Sequence, residues 1–147
     1  MIRFSKMADY GVLLLGHFVR HEGVQASASE LAETFHMPRT LVANLLKSFR
    51  EAGLLESRRG LKGGYLLARP ADEISLLDVL GVIDGPVRLT DCALLEADLE
   101  TEACDYEDVC PSKSPMQVVN QHILDYLAGI TLAQLLDEAQ SFAPTRP

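Results

Sequence analysis

The sequence predicts a mainly α-helical fold that contains one small β-hairpin. Three observations predict it: apolar residues recur at helical spacing in several segments, capping signals separate those segments, and a glycine-rich turn lies between two short apolar runs. The chain has 147 residues, 48% of them apolar, which suits one compact domain or a small domain with an appended element.

Two predicted helices open the chain. The first spans about Lys6 to Arg20 and has apolar residues on one side, and Gly23 ends it. Ser27 and Glu30 then have the form of a capping box, in which the hydroxyl and the carboxylate each satisfy a free backbone amide. A short second helix therefore starts at this point.

A tight corner at His36 and Met37 leads into a third predicted helix. Pro38 suits the first turn of that helix, because its missing N–H would have no partner there. Two short helices joined by such a corner are the outline of a helix-turn-helix. The predicted buried stripe of the third helix consists of Leu41, Leu45, Phe49 and Ala52.

A basic hairpin is predicted next. Short strands at residues 54–57 and 65–68 flank a glycine-rich turn, residues 58–64, whose tip carries three cations. Helix, corner, helix and basic hairpin together define a winged helix-turn-helix, which we assign to residues 1–70.

The second half is predicted to be helical around an acidic segment. A linking helix at 75–84 lies in region 71–90, and Gly85-Pro86 breaks it. The cysteine segment, residues 91–112, carries eight Asp or Glu and no Lys or Arg between Asp91 and Cys110. Region 113–140 holds a long helix at 115–128 and a short one at 132–139 capped by Thr131, and 141–147 is a tail. Four apolar residues of the long helix are spaced for one buried face, namely Met116, Val119, Ile123 and Leu127.

The net charge of -8 is distributed very unevenly. Residues 1–70 hold ten Lys or Arg against six Asp or Glu, whereas residues 71–147 hold three against fifteen. A basic front half makes nucleic acid a plausible partner for that half alone.

The outward face of the third helix and the hairpin tip supply candidate DNA contacts. A turn of about 100° per residue places five residues opposite the buried stripe. They are Thr40, Ala43, Asn44, Lys47 and Glu51. Asn can pair with adenine, Thr with a base edge or thymine methyl, and Lys with phosphate or guanine. Arg39 is placed for the DNA backbone, and the wing offers Arg58, Arg59, Gly60 and Lys62 to phosphates or a minor groove. The alternative for each is an ordinary solvated side chain.

The three cysteines indicate a metal centre. Their number is odd and the chain has no export signal, which argues for reduced thiols and a cytoplasmic location rather than a disulfide framework. Cys92, Cys104 and Cys110 are separated by twelve and then six residues, without the close pair that zinc sites usually have. An iron-sulfur cluster tolerates wider spacing because it is larger. Three unrelated buried thiols are the alternative.

Other classes of protein fit less well. An electron carrier has no use for a basic wing. No serine, cysteine or carboxylate has an evident partner at catalytic spacing, so we expect no enzyme. The apolar stretch Val12–Leu15 is too short for a membrane span.

Several motifs resemble the Rrf2 family of winged-helix transcriptional regulators, whose members include IscR, NsrR and CymR. The resemblance covers residues 2 to about 138. It lies in Asp9-Tyr10-Gly11, in residues 49–60, in the wing motif 63–70, in Ile74-Ser75, in the three-cysteine segment and in Ile130-Thr131-Leu132. The subgroup that regulates SUF-type cluster assembly is the most similar, because it shares Thr90-Asp91-Cys92 and Cys110-Pro111.

The resemblance implies a homodimer, joined by the long helix, that binds a palindromic operator and represses iron-sulfur assembly genes. It implies a 2Fe-2S or 4Fe-4S cluster on Cys92, Cys104 and Cys110. In NsrR-like members an aspartate of the partner subunit completes the ligand set, and Asp9 matches it; the alternative is a first-turn acid favoured by the helix dipole. IscR-like members use a histidine where this chain has Lys113.

Alternatives within the family stay open. One is a repressor that senses nitric oxide or redox state, and another is a cluster-free or zinc-binding winged-helix regulator. His122 is a remote candidate ligand, whereas His17, His21 and His36 are assigned to the core or the surface.

Overall fold

The computed structural model describes residues 4–60, 63–90, 105–106 and 109–141. In these residues it has six α-helices and one antiparallel hairpin, which confirms the predicted mainly α fold with a wing. The helices are α1 Lys6–Arg20, α2 Ala28–Phe35, α3 Arg39–Glu51, α4 Leu76–Asp84, α5 Lys113–Gly129 and α6 Leu132–Ser141, and the strands are β1 Leu55–Arg58 and β2 Gly64–Leu67. None of the helices in the described residues is long and apolar enough to cross a bilayer.

Helix α1 has the predicted bounds and forms the centre of the core. Leu14, Leu15 and Phe18 are almost fully buried in the main hydrophobic cluster. The Ser5 hydroxyl oxygen accepts a hydrogen bond from the Ala8 N–H at 3.0 Å and donates one to the Asp84 carboxylate at 2.6 Å. Ser5 therefore caps α1 and also ties its start to the end of α4.

The predicted capping box of α2 is confirmed. The Glu30 N–H donates to the Ser27 hydroxyl at 3.2 Å, and the Ser27 N–H donates to the Glu30 carboxylate at 2.7 Å. These hydrogen bonds with Ser27 lower the pKa of Glu30. The helix ends at His36, whose φ of 53° lies in the left-handed region, and the chain turns there into α3.

The predicted buried stripe of α3 is partly wrong. Leu45 and Phe49 are buried as expected, together with Val42 and Leu46. Leu41 is only half-buried, and Ala52 is exposed. The buried face is centred on Val42, Leu46 and Phe49, and Ala52 is the residue at which the chain leaves the helix. Pro38 is the residue before the first turn and not within it.

The wing is a short hairpin fixed to the segment before α2. Leu55 pairs with Leu67 and Arg58 pairs with Gly64, so each strand is displaced by one residue from its predicted bounds. Ala26 and Tyr65 exchange backbone hydrogen bonds of 3.0 and 2.9 Å. A Cβ atom at Gly64 would lie 2.7 Å from the Ala26 carbonyl oxygen, so glycine is required for this close approach.

The second half packs back onto α1 through α4. Ser75 and Asp78 form a capping box on α4, which was not predicted from the sequence. The Leu76 N–H donates to the Ile130 carbonyl at 2.8 Å, and the Leu132 N–H donates to the Ile74 carbonyl at 2.9 Å. Thr131 caps α6 as predicted, because its hydroxyl accepts from the Gln134 N–H at 3.2 Å.

The expectation that α5 buries one apolar face is partly wrong. Among its four predicted residues only Leu127 is buried, and Val119 is 41% exposed. Val118 and Tyr126 are 54% and 70% exposed. The single chain therefore leaves an apolar face of α5 uncovered.

Replacing Ser27 tests the capping of the helix-turn-helix. Ser27→Ala removes the hydroxyl acceptor of the Glu30 N–H, and we expect the free energy of unfolding to fall by about 1 kcal/mol. Urea denaturation followed by circular dichroism measures this change. Ser29→Ala, in the same helix, is the control. Equal stability of the two variants would contradict the assigned role of the cap.

Candidate nucleic-acid interface and cysteine segment

The outward face of α3 carries the predicted contacts in accessible positions. Thr40, Asn44 and Lys47 are exposed, whereas Ala43 is half-buried. Because Val42, Leu45, Leu46 and Phe49 anchor the opposite side, the backbone holds this face outward. A helix presented in this way can enter a major groove and offer its side chains to base edges.

The charges of α3 are partly compensated within the helix. Lys47 Nζ lies 3.8 Å from a carboxylate oxygen of Glu51, and Arg50 Nη2 lies 3.7 Å from the same oxygen. These are exposed pairs, which contribute little to stability. Arg39 is exposed at the first residue of α3 and makes no ion pair within the described part of the chain. Arg39 is therefore the cation of α3 most available to a phosphate.

The wing cations have different surroundings. Arg58 is the last residue of β1, and its Nε and Nη2 atoms lie 3.2 and 3.0 Å from one carboxylate oxygen of Glu56. Arg59 is exposed and has no ion pair in the residues that the structure describes. Gly60, also exposed, has a φ of 133° and turns the chain. Lys62 lies outside the described residues. The Glu56 partner was not predicted from the sequence, although alternation along a strand places it on the same side as Arg58.

The predicted metal ligands are only partly described. Cys92 and Cys104 lie outside the described residues. Cys110 is a half-buried free thiol three residues before the first residue of α5. Asp9 is exposed in the first turn of α1. Within the described residues, no three or more His, Cys, Asp or Glu are grouped to hold a metal ion.

The four histidines lie on or just after α1, at the corner after α2 and on α5. His17 is half-buried, its ring stacks on His21 at 4.4 Å, and its edge faces Phe35 at 5.9 Å. Burial, followed by the charge of His21, lowers the pKa of His17. His36 is exposed at the corner, and His122 is exposed on α5.

A polar residue of α5 that was not predicted to have a role fixes the chain entering the cysteine segment. Asn120 is 5% exposed, and its Oδ1 atom accepts a hydrogen bond from the Leu89 N–H at 3.0 Å. Leu89 precedes Cys92 by three residues. An Asn within the apolar pattern of a predicted helix was the available signal, since a buried polar side chain needs a partner.

The helix-turn-helix, its exposed reading face and the basic wing define a DNA-binding regulator of the winged-helix class. The chain belongs to the Rrf2 family, described as iron-dependent transcriptional regulators, whose model matches residues 4–138. It is thus a transcriptional regulator and not an enzyme.

Solved structures of regulators share this fold. The T. potens IscR is 27% identical with a TM-score of 0.70, over 99% of this chain and 94% of that one. CymR of Staphylococcus aureus is 28% identical with a TM-score of 0.65, over 90% and 96% of the two chains. CymR (YrzC), the global cysteine regulator of B. subtilis, is 24% identical with a TM-score of 0.71 over 94% and 98%, a likeness of fold alone.

The difference between Arg58 and Arg59 predicts unequal roles in DNA binding. The plot of log K against log salt has a negative slope, and removing one cation that neutralises a phosphate makes that slope less steep by roughly 0.9. We expect Arg59→Ala to make the slope less steep by about this amount per protomer. Arg58→Ala should have a smaller effect, because Glu56 already neutralises Arg58. Fluorescence anisotropy with a duplex of arbitrary sequence across a salt series measures both. A larger change for Arg58→Ala would contradict the assignment.

Proposed function

We propose that this protein is a homodimeric, cytoplasmic, iron-sulfur-dependent repressor of iron-sulfur assembly genes that binds a palindromic operator. The observation that carries the proposal is the convergence of both ends of the cysteine segment on α5. Leu89 is bonded to Asn120 in the middle of that helix, and Cys110 lies just before its start. The uncovered apolar face also belongs to α5, so the proposed cluster ligands and the proposed dimer contact would involve the same helix.

The uncovered face of α5 supports a homodimer. Val118, Val119 and Tyr126 expose large apolar side chains to solvent in the isolated chain. A second copy of α5 would cover them. Two-fold symmetry would then place two winged helix-turn-helix regions, one from each subunit, on one DNA duplex. A palindromic operator follows from that symmetry, with Arg39, Thr40, Asn44 and Lys47 and the wing residues Arg58, Arg59, Gly60 and Lys62 facing the DNA.

The available donors fit an iron-sulfur cluster. Cys92, Cys104 and Cys110 would supply three thiolates, and Asp9 of the partner subunit would supply a carboxylate. Cys110 is half-buried and lies three residues before the first residue of α5. Asp9 is exposed, which a ligand shared between subunits requires. A bound cluster, either 2Fe-2S or 4Fe-4S, would supply redox chemistry and sensitivity to oxidants.

Contacts between helices would link the occupancy of the cysteine site to DNA binding. Asn120 and Cys110 link the cysteine segment to α5, and α5 packs on α4 through Leu127, Leu76 and Leu80. Helix α4 packs in turn on α1 and α3. Binding at the cysteines would therefore favour one position of α5 over others. This shift would change the separation or tilt of the two winged helix-turn-helix regions of the dimer.

A second candidate is a thiol-based regulator that senses redox state without a cluster. The likeness to CymR favours it, because one structure of the Staphylococcus aureus protein is an oxidized form, 27% identical to this chain with a TM-score of 0.66. Nitric-oxide sensing and zinc binding are other variants of the same site. Iron, sulfide and zinc contents of anaerobically purified protein distinguish these candidates.

We predict that the protein is coloured and that its colour depends on Cys110. Anaerobically purified protein should absorb in the visible region and contain iron and sulfide. Cys110→Ala should abolish the absorption while leaving circular dichroism and the dimer unchanged, because the cluster would be deprived of one thiolate. Ser114→Ala, in the first turn of α5, is the control. Colourless wild-type protein containing zinc would overturn the iron-sulfur assignment.

A separate prediction concerns Asp9 as a ligand of the cluster. If Asp9 of the partner subunit is a ligand, Asp9→Ala should change the visible spectrum and shorten the lifetime of the cluster in air several-fold, without dissociating the dimer. The control is Glu33→Ala, which removes an exposed carboxylate from α2. Unchanged spectrum and lifetime in Asp9→Ala would leave Asp9 as a first-turn acid favoured by the dipole of α1.

A further inference from the structure

We infer that Glu56 competes with DNA phosphate for Arg58 and so limits how tightly the wing binds DNA. The inference rests on the proposed contact of the wing with DNA, and it does not depend on a bound cluster. Glu56 and Arg58 lie two residues apart on β1, the strand that leads into the basic turn, and both are exposed.

The contact between the two side chains uses the part of Arg58 that binds phosphates. The Nε and Nη2 atoms of Arg58 both donate to Oε1 of Glu56, at 3.2 and 3.0 Å. A guanidinium binds a phosphate through two such parallel N–H donors. The Glu56 carboxylate therefore occupies an edge of the guanidinium that a DNA phosphate would otherwise use.

The position across the hairpin from Arg58 cannot supply a different anion. Arg58 pairs with Gly64, where a Cβ atom would lie 2.7 Å from the Ala26 carbonyl oxygen. This close approach excludes a side chain at position 64, so no acidic residue can lie opposite Arg58. The carboxylate comes instead from the same strand, because alternation places residues 56 and 58 on one face.

Arg59 has no such competitor at the corresponding position. The residue two before it is Ser57, which carries no charge, and Arg59 makes no ion pair in the part of the chain that the structure describes. A free cation neutralises one phosphate and releases its counterion, whereas a pair of Arg58 and Glu56 has no net charge and neutralises none. Arg59 is therefore available at once, and Arg58 is available only when Glu56 withdraws.

DNA can displace Glu56 because the pair is accessible. The side chains of Arg58 and Glu56 are 60% and 46% exposed. Exposed ion pairs contribute little to folding stability, so exchanging the carboxylate for a phosphate leaves the hairpin intact. The exchange still lowers affinity, because Glu56 loses its partner and remains a negative charge close to the DNA backbone. Removing the charge of Glu56 should therefore tighten DNA binding.

The test combines Glu56→Gln with Arg58→Ala in a double-mutant cycle. Glu56→Gln keeps the size of the side chain and removes its charge. Asp137→Asn removes one negative charge from an exposed residue of α6 and is the control for net charge. These variants and Arg59→Ala are titrated onto a fluorescein-labelled duplex of arbitrary sequence, with anisotropy measured across a salt series. Circular dichroism verifies that each variant is folded.

Glu56→Gln should tighten binding several-fold at low salt. It should also make the slope of log K against log salt steeper by roughly 0.9 per protomer, because Arg58 then neutralises a phosphate. Asp137→Asn should leave the slope unchanged. When Arg58 is already alanine, Glu56→Gln should change log K by less than about half as much, since the cation that Glu56 withholds is absent.

The outcomes separate this inference from the proposed function. Unchanged affinity and slope in Glu56→Gln, with a less steep slope in Arg59→Ala, would overturn the role of Glu56 alone. A full gain in the Arg58→Ala background would also overturn it, because Glu56 would then repel DNA directly and not through Arg58. An unchanged slope in Arg59→Ala would overturn the proposed contact of the wing with DNA, and the inference with it.

Discussion

The close approach of three helices at Gly11 is the constraint on which the rest of the structure depends. A Cβ atom at this position would lie 2.9 Å from Phe49 Cζ of α3 and would also collide with Ile83 of α4. The absence of a side chain lets α3 and α4 pack against the same turn of α1. Protein interiors are close-packed, so a larger residue would force the side chains of Ile83 and Phe49 to shift. Helix α4, which packs on both α3 and α5, is therefore positioned by α1.

This arrangement determines which surfaces remain free for binding. With Phe49 and Leu46 buried towards the core, α3 can only turn Thr40, Asn44 and Lys47 to the solvent. The wing is too short to be stable alone, since isolated two-stranded hairpins are marginal in water. Its attachment through Ala26 gives β2 a second backbone partner and fixes the hairpin to the segment before α2.

The helices could be predicted because their signals are local. The capping box of Ser27 and the cap of Thr131 depend on residues three apart in sequence, and the structure has both. The buried stripe of α3 was harder, because Leu41 and Val42 are equally apolar and only the packing partners decide which one is covered. For the same reason, the apolar pattern of α5 predicted burial that one chain alone does not provide.

The candidate site depends more on contacts between distant residues, which the sequence does not specify. The basic turn was identifiable from its composition, and the pairing of Arg58 with Glu56 follows from the alternation of side chains along β1 once the bounds of that strand are known. The apolar pattern of α5 indicates that Asn120 is buried, but its partner Leu89 lies 31 residues away and no local pattern identifies it. Cysteine spacing limits the kind of ligand but not its geometry, and the role proposed for Asp9 requires a second subunit.

The route from α5 to the wing passes through a small number of bonds near Ser75. The backbone of residues 74–76 pairs with residues 130–132, which join α5 to α6. The Asp78 carboxylate accepts from the Ser75 N–H at 3.0 Å and from Arg69 Nη2, just beyond β2, at 3.4 Å. The ion pair is partly exposed and long, so it contributes at most about 1 kcal/mol. The two backbone bonds of 2.8 and 2.9 Å, supported by buried Ile74 and Leu132, are the stiffer connection. The junction of α5 and α6 is therefore connected to the rest of the chain more firmly through Ile74 and the start of α4 than through the pair of Arg69 and Asp78.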